Sequence, residues 1–173
     1  MRVDRLPLAA ATLLTMACLA LPAAAQVAKA TLKNTSGKDV GTVNLTQTGN
    51  GVLIKLSLKG MPAGEKAFHI HAVGKCEPPF TTAGGHFNPA GKKHGLAAAD
   101  GHHAGDMPNL FIPASGDLTV EVLNTAITLA KGQPNSVFDA DGSAIVVHAN
   151  ADDHKTDATG NAGDRIVCGI ITE

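Results

Sequence analysis

Apolar side chains recur at every second position in segment after segment of this chain, and no stretch carries them at the three-to-four-residue spacing of a helix face. Alternation or short β-branched runs fall at residues 27–34 (VAKATLKN), 40–47 (VGTVNLTQ), 52–59 (VLIKLSLK), 66–71 (KAFHIH), 117–124 (DLTVEVLN), 143–149 (SAIVVHA) and 165–172 (RIVCGIIT). Successive side chains of a strand point to opposite faces, so these segments read as strands with one row for a core. Gly49-Asn50-Gly51 separates the second from the third as a hairpin turn would, and Ser115-Gly116-Asp117 leads into the fifth. Seven or eight short strands without a helix are most economically arranged as an all-β sandwich or flattened barrel. Phenylalanine is the only aromatic residue, so aliphatic side chains must fill that core.

Residues 1–25 stand apart. They carry basic Arg2 and Arg5, an apolar stretch from Leu6 to Leu21, and the small residues Ala23-Ala24-Ala25. This is the pattern of a secretory signal peptide, with cleavage expected before Gln26. The apolar stretch is short for a membrane span of about 20 residues. Thr-Met-Ala before Cys18 matches a lipid-anchoring signal poorly, so no membrane attachment is expected after cleavage. Removing 25 of the 173 residues leaves 148, residues 26–173, which suit one domain with one core.

Without Arg2, Arg5 and Asp4, the 14 basic and 15 acidic residues of the chain become 12 and 14. That slight negative balance argues against nucleic acid as a partner. Cys76 and Cys168 remain, and an even pair in an exported protein reads as a disulfide rather than a redox or zinc motif. Closing a loop of about ninety residues restrains the unfolded chain by roughly 4 to 5 kcal/mol in the chain-entropy model.

Two stretches, 74–110 and 150–164, are rich in Gly, Pro, Asn and Asp and lack periodicity. Loops this long in a compact domain usually carry function. Histidines gather in them and beside them. His69 and His71 lie two apart in FHIH, so both imidazoles project from one face of a strand and can reach one ion. His148 ends another strand, on which Ile145 and Val147 would face the core while Val146 and His148 face outward. The first loop adds His86, His94 and His103, with Asp106 three residues later. Three imidazoles and a carboxylate suit tetrahedral zinc, and imidazole-rich sites also suit copper. His102, beside His103, and His154 are expected to be solvated.

At these residues the chain resembles a bacterial, periplasmic type of Cu,Zn superoxide dismutase. Four motifs carry the likeness across residues 26–173: FHIHAVGKC, GGHFNP with KKHG, HAGDMPNL, and HANADD followed by GNAGDRIVCGII. The resemblance implies an eight-stranded Greek-key flattened barrel, an immunoglobulin-like sandwich, with long metal-binding and electrostatic loops. It implies copper on His69, His71, His86 and His148, and zinc on His86, His94, His103 and Asp106, with His86 bridging the two. Asp152 would link the sites by accepting hydrogen bonds from the outer nitrogens of His69 and His94. Arg165 would hold a small anion beside the copper.

The implied reaction is disproportionation of superoxide to oxygen and hydrogen peroxide, with His86 and Arg165 as its catalytic side chains. Lys155 is a weaker candidate for steering the anion, and Lys66, Lys75, Lys92 and Lys93 could serve equally. A metal-binding module without turnover would be expected to lose a copper ligand or the arginine, and every matched position is filled. A dinuclear zinc hydrolase would need an open zinc position, and this set looks closed. The periplasm is the expected location, and a homodimer is possible.

Overall fold

The computed structural model describes residues 26–173, so the signal-like segment 1–25 lies outside the described residues. The chain runs through β1 (Val27–Asn34), β2 (Asp39–Thr48), β3 (Gly51–Leu58), β4 (Gly64–Lys66), β5 (Phe68–His71), β6 (Leu110–Ile112), β7 (Leu118–Asn124), β8 (Ala144–His148) and β9 (Arg165–Ile170). Pairing is antiparallel throughout, in the order β5-β8-β9-β1-β2-β3-β7 for the main sheet, with β4 and β6 forming a second. Counted as one bent strand, β4 and β5 bring the total to the eight that the resemblance implies. The bend is at Ala67, whose N–H and carbonyl bond to Asn150 and His148 instead of staying in a ladder.

Alternation becomes burial directly. Val52, Ile54, Leu56 and Leu58 of β3 are buried, and so are Ala28, Ala30 and Leu32 of β1. Burying one of these valine, leucine or isoleucine side chains stabilises the fold by about 1.5 to 3 kcal/mol. In β2 the buried series slips between Val40 and Val43, where the register with β1 shifts at Leu32–Lys33. One extra residue there is a bulge that bends the sheet. The β2–β3 hairpin pairs Thr48 with Gly51, leaving Gly49-Asn50 as a two-residue turn.

β5 and β8 depart from simple alternation, because every residue of both is buried. Phe68, Ile70, Ile145 and Val147 do face the barrel core. On the opposite face, Ala144 and Val146 pack with Phe80, Ala83 and the cysteines in a second apolar cluster. The face that would meet water on a bare sheet is roofed by the long loop after β5. The Cys76–Cys168 disulfide ties that roof to β9, with Cα atoms 5.6 Å apart. Among the described residues no helix is long and apolar enough to cross a membrane.

Candidate metal centre

Strand register puts three histidines on one face. His69 lies opposite Val146 and His71 opposite Ala144 across the β5–β8 ladder, and His148 shares the parity of Val146 along β8. A register shift between Val147 and His148 then brings His148 opposite Arg165 of β9. The fourth side chain arrives by loop. The Phe87 N–H donates to the Ile70 carbonyl at 2.8 Å and the Ile70 N–H donates to the Gly105 carbonyl at 2.9 Å, lacing His86 and the segment around Gly105 to the free edge of β5. A Cβ at residue 105 would overlap the Ile70 carbonyl oxygen, which is why glycine stands there.

His69, His71, His86 and His148 each turn one ring nitrogen into the space between them, and those nitrogens lie within 4.8 Å of one another. His69 Nδ1, His71 Nε2, His86 Nε2 and His148 Nε2 are buried and have no hydrogen-bond partner. Four such atoms at one point would be a serious cost in a folded protein unless something binds them. The remaining nitrogens of three of these rings are held. His71 Nδ1 donates to the Gly84 carbonyl at 3.0 Å, His148 Nδ1 to the Gly163 carbonyl at 3.2 Å, and His69 Nε2 to Asp152 Oδ2 at 2.8 Å. Those bonds select the tautomer that leaves a lone pair facing inward. Burial also pushes the imidazoles toward the neutral form, His69 to about 4, His148 to about 3, and His71 well below its usual value. Neutral imidazole is the form that coordinates a cation.

A second convergence lies on the other side of the His86 ring. Asp106 Oδ1 sits 2.8 Å from His86 Nδ1, 3.1 Å from His94 Nδ1 and 3.3 Å from His103 Nδ1, while the His86 and His103 Nδ1 atoms are 3.3 Å apart. Four ligands on a tetrahedral zinc at about 2.0 to 2.1 Å would be separated by about 3.3 Å. One carboxylate oxygen cannot accept from three rings with good geometry, so the cluster fits a cation better than a hydrogen-bond network. Asp106 Oδ2 takes the Gly95 and His103 N–H groups at 2.8 and 3.1 Å, which leaves Oδ1 free to point at that centre. Burial raises the Asp106 pKa, but the His86 bond, the Gly95 N–H and the neighbouring imidazoles outweigh it and keep the carboxylate ionised. Because His86 has Nδ1 in this cluster and Nε2 in the other, its ring joins the two.

Asp152 spans the clusters from behind. Its Oδ2 accepts from His69, and its Oδ1 accepts from His94 Nε2 at 2.9 Å. Desolvation opposes its ionisation, yet those bonds and the His154 N–H hold its pKa well below the usual carboxylate range. Arg165 is half-buried, with Nη1 and Nη2 each 2.7 Å from a carbonyl, those of Phe80 and Gly84. Gly84 thus holds both Arg165 and His71. A 530 Å³ surface cavity is bordered by Arg165 and by Gly163, the residue whose carbonyl holds His148.

His102 and His154 stay out of both clusters, and each is only half-buried. His102 Nδ1 donates to the His103 carbonyl at 2.6 Å, and His154 Nδ1 lies 3.6 Å from Asp152 Oδ2. Sequence reasoning missed the carbonyls of Gly84 and Gly163, because backbone acceptors carry no side-chain signature. It also missed Gly160, where a Cβ would overlap Asp152 Oδ1 and crowd His94 Nε2.

Comparison with known proteins agrees with this geometry. The family model described as copper/zinc superoxide dismutase matches residues 40–171. The chain is 53% identical over 146 residues to "Superoxide dismutase [Cu-Zn] 2" of Aquifex aeolicus, covering 83% of this chain and 85% of that one. It is 47% identical over 148 residues to "Superoxide dismutase [Cu-Zn]" of Caulobacter vibrioides, covering 83% and 84% of the two chains. Among solved structures, a SOD-like protein from Bacillus subtilis superposes with a TM-score of 0.79 at 40% identity, over 82% of this chain and 96% of that one. A strand register that gathers orphaned imidazoles, a second cluster at zinc spacing and relatives at this identity lead to one conclusion: the chain belongs to the copper/zinc superoxide dismutase family.

Proposed function

We propose that His69, His71, His86 and His148 hold copper, that His86, His94, His103 and Asp106 hold zinc, and that His86 bridges them through Nε2 and Nδ1. The observation carrying this assignment is the set of four buried ring nitrogens without partners, set beside a second cluster at tetrahedral spacing. The activity is that of the family: two superoxide anions and two protons give one oxygen and one hydrogen peroxide, one anion being oxidised and the other reduced. Copper supplies the one-electron chemistry when bound, and zinc, which has no redox chemistry, supplies charge and loop order.

The protein's own groups do the rest. Arg165, a permanent, planar cation opposite His148 in the β8–β9 ladder, attracts a small anion. Its attraction is local, since the chain carries a net charge near zero. His86 Nε2 would hold either copper or a proton, not both at once, and a proton held there can be passed to the reduced product. Asp152 fixes the orientation of His69 and His94, so the inward lone pairs are in place before any ion arrives.

Residues 1–25 act as the signal for export to the periplasm, and residues 26–173 are the mature domain. The Cys76–Cys168 disulfide, suited to an oxidising compartment, supports this reading. A homodimer is also proposed, through the face where Phe111 and Leu123 are 68% and 47% exposed. A single sedimenting species of monomer mass at high micromolar concentration would remove the dimer.

Stopped-flow mixing with superoxide tests the main reading. Protein loaded with copper and zinc should remove superoxide rapidly, and protein loaded with zinc alone should not. Equal, slow decay in both would overturn the proposal.

A further inference from the structure

The backbone of Asp152, whose carboxylate reaches His69 and His94, is held by a residue with no role assigned above. Asn109 Oδ1 accepts the Asp152 N–H at 2.8 Å, and Asn109 Nδ2 donates to the Asp152 carbonyl at 2.9 Å. The side-chain amide pairs with both backbone groups of residue 152 as a neighbouring strand would. Among the described residues, the Asp152 N–H and carbonyl make no other hydrogen bond.

Asn109 is well placed to impose a position. Leu110, the next residue, is buried and pairs with Lys66 at the start of β6, so Asn109 stands on a fixed element. Asp106, three residues earlier, supplies the carboxylate of the zinc cluster. The 150–164 loop has its own ties on either side of Asp152, from Asn150 N–H to the Ala162 carbonyl and from Asp153 N–H to the Gly160 carbonyl. Neither tie reaches the first long loop, which meets this one elsewhere through Ala97 N–H on the His154 carbonyl and His94 N–H on Asp157 Oδ1. The two bonds of Asn109 join a side chain of the first loop to the backbone of the second at the residue linking both clusters itself.

We propose that Asn109 is a positioning residue: it sets the carboxylate of Asp152 and, through it, the orientation of His69 on the copper side and His94 on the zinc side. The inference rests on the metal assignment proposed above. A backbone displacement of about 1 Å would carry bonds of 2.8 and 2.9 Å past hydrogen-bond range, so the loss of Asn109 should reach both rings.

Zinc affinity, measured by chelator competition on the metal-free protein, tests this in a double-mutant cycle of Asn109→Ala and Asp152→Ala. Each single variant should bind zinc about 10- to 100-fold more weakly, the range for removing a partner that orients a ligand. The double variant should lose no more than about twofold beyond the weaker single, because both act through one carboxylate. Ile54→Val, a core change remote from the site, should leave zinc affinity unchanged although it lowers stability. If Asn109→Ala fails to fold, Asn109→Asp, which keeps an acceptor for the Asp152 N–H, goes through the same cycle with the same non-additivity expected. Wild-type affinity in the Asn109 variant, or losses that multiply in the double variant, would overturn the positioning role while leaving the metal assignment intact. Wild-type protein that takes up no zinc would overturn both.

Discussion

The Arg165 guanidinium bonds to the Phe80 and Gly84 carbonyls; it shares the latter with His71, and Arg165 stands opposite His148 in the β8–β9 ladder. On the proposed reading its charge attracts the incoming anion, so Arg165→Ala should slow superoxide removal by about tenfold or more and flatten the dependence on ionic strength. Copper and zinc content should stay unchanged. Stopped-flow rates at low and raised salt, with metal analysis of the same samples, check this, and an unchanged rate would remove Arg165 from the reaction. Gly160 makes a second residue-scale prediction. It has φ of +63° and no room for a Cβ beside Asp152 and His94, so Gly160→Ala should weaken zinc binding by about 10-fold or more, read by chelator competition. At this scale the sequence was legible where side-chain type and spacing carry the signal: His69 and His71 on one face follow from strand geometry alone. Sorting the ligands into a copper set and a zinc set, and the bridge at His86, came from resemblance, since spacing does not say which ring nitrogen turns inward. The backbone carbonyls that make that choice have no sequence signature.

Between residue and molecule stands the element, and here β5, β8 and their roof depend on one another. The loop after β5 carries the Phe80 and Gly84 carbonyls that hold Arg165, and the disulfide fixes it to β9 across 92 positions. Replacing both cysteines by serine should lower stability by about 2 to 5 kcal/mol and also reduce the superoxide rate, because the two carbonyls lose their anchor. Denaturant midpoints and rates on the same variant check it; full activity would show that the apolar cluster of Phe80, Ala83 and Val146 holds the roof alone. Seven of the nine strands coincide with alternating or β-branched segments. β4 and β6 were hidden, since three residues are too few to display a period of two, and β6 lies between Asn109 and Pro113 in a loop-like composition. Val146 and His148 were legible as facing away from the core, but their burial was not, because it is made by a loop distant in sequence.

The whole molecule holds buried, neutral imidazoles, and that makes its stability depend on pH. His69 and His148 are pushed down to about 4 and about 3 by burial, whereas an unfolded histidine titrates near about 6.5. As pH falls below about 6.5 the unfolded chain takes up protons that the folded chain refuses, so stability present above that pH is lost progressively down to the folded values. Asp106 and Asp152, held below the usual carboxylate range, add a further loss below about pH 4. The denaturant midpoint of the metal-free protein should be level above about pH 7 and fall steadily below about 6.5. A level midpoint from pH 7 to 4 would contradict the account.

On the proposed reading one imidazole, His86, joins two unlike ions, and anomalous diffraction from crystals of the copper- and zinc-loaded protein, collected at both absorption edges, tests this most directly. The prediction is a copper peak among His69, His71, His86 and His148, a zinc peak among His86, His94, His103 and Asp106, and the His86 ring between them. A single peak, or either metal bound without His86, would contradict it.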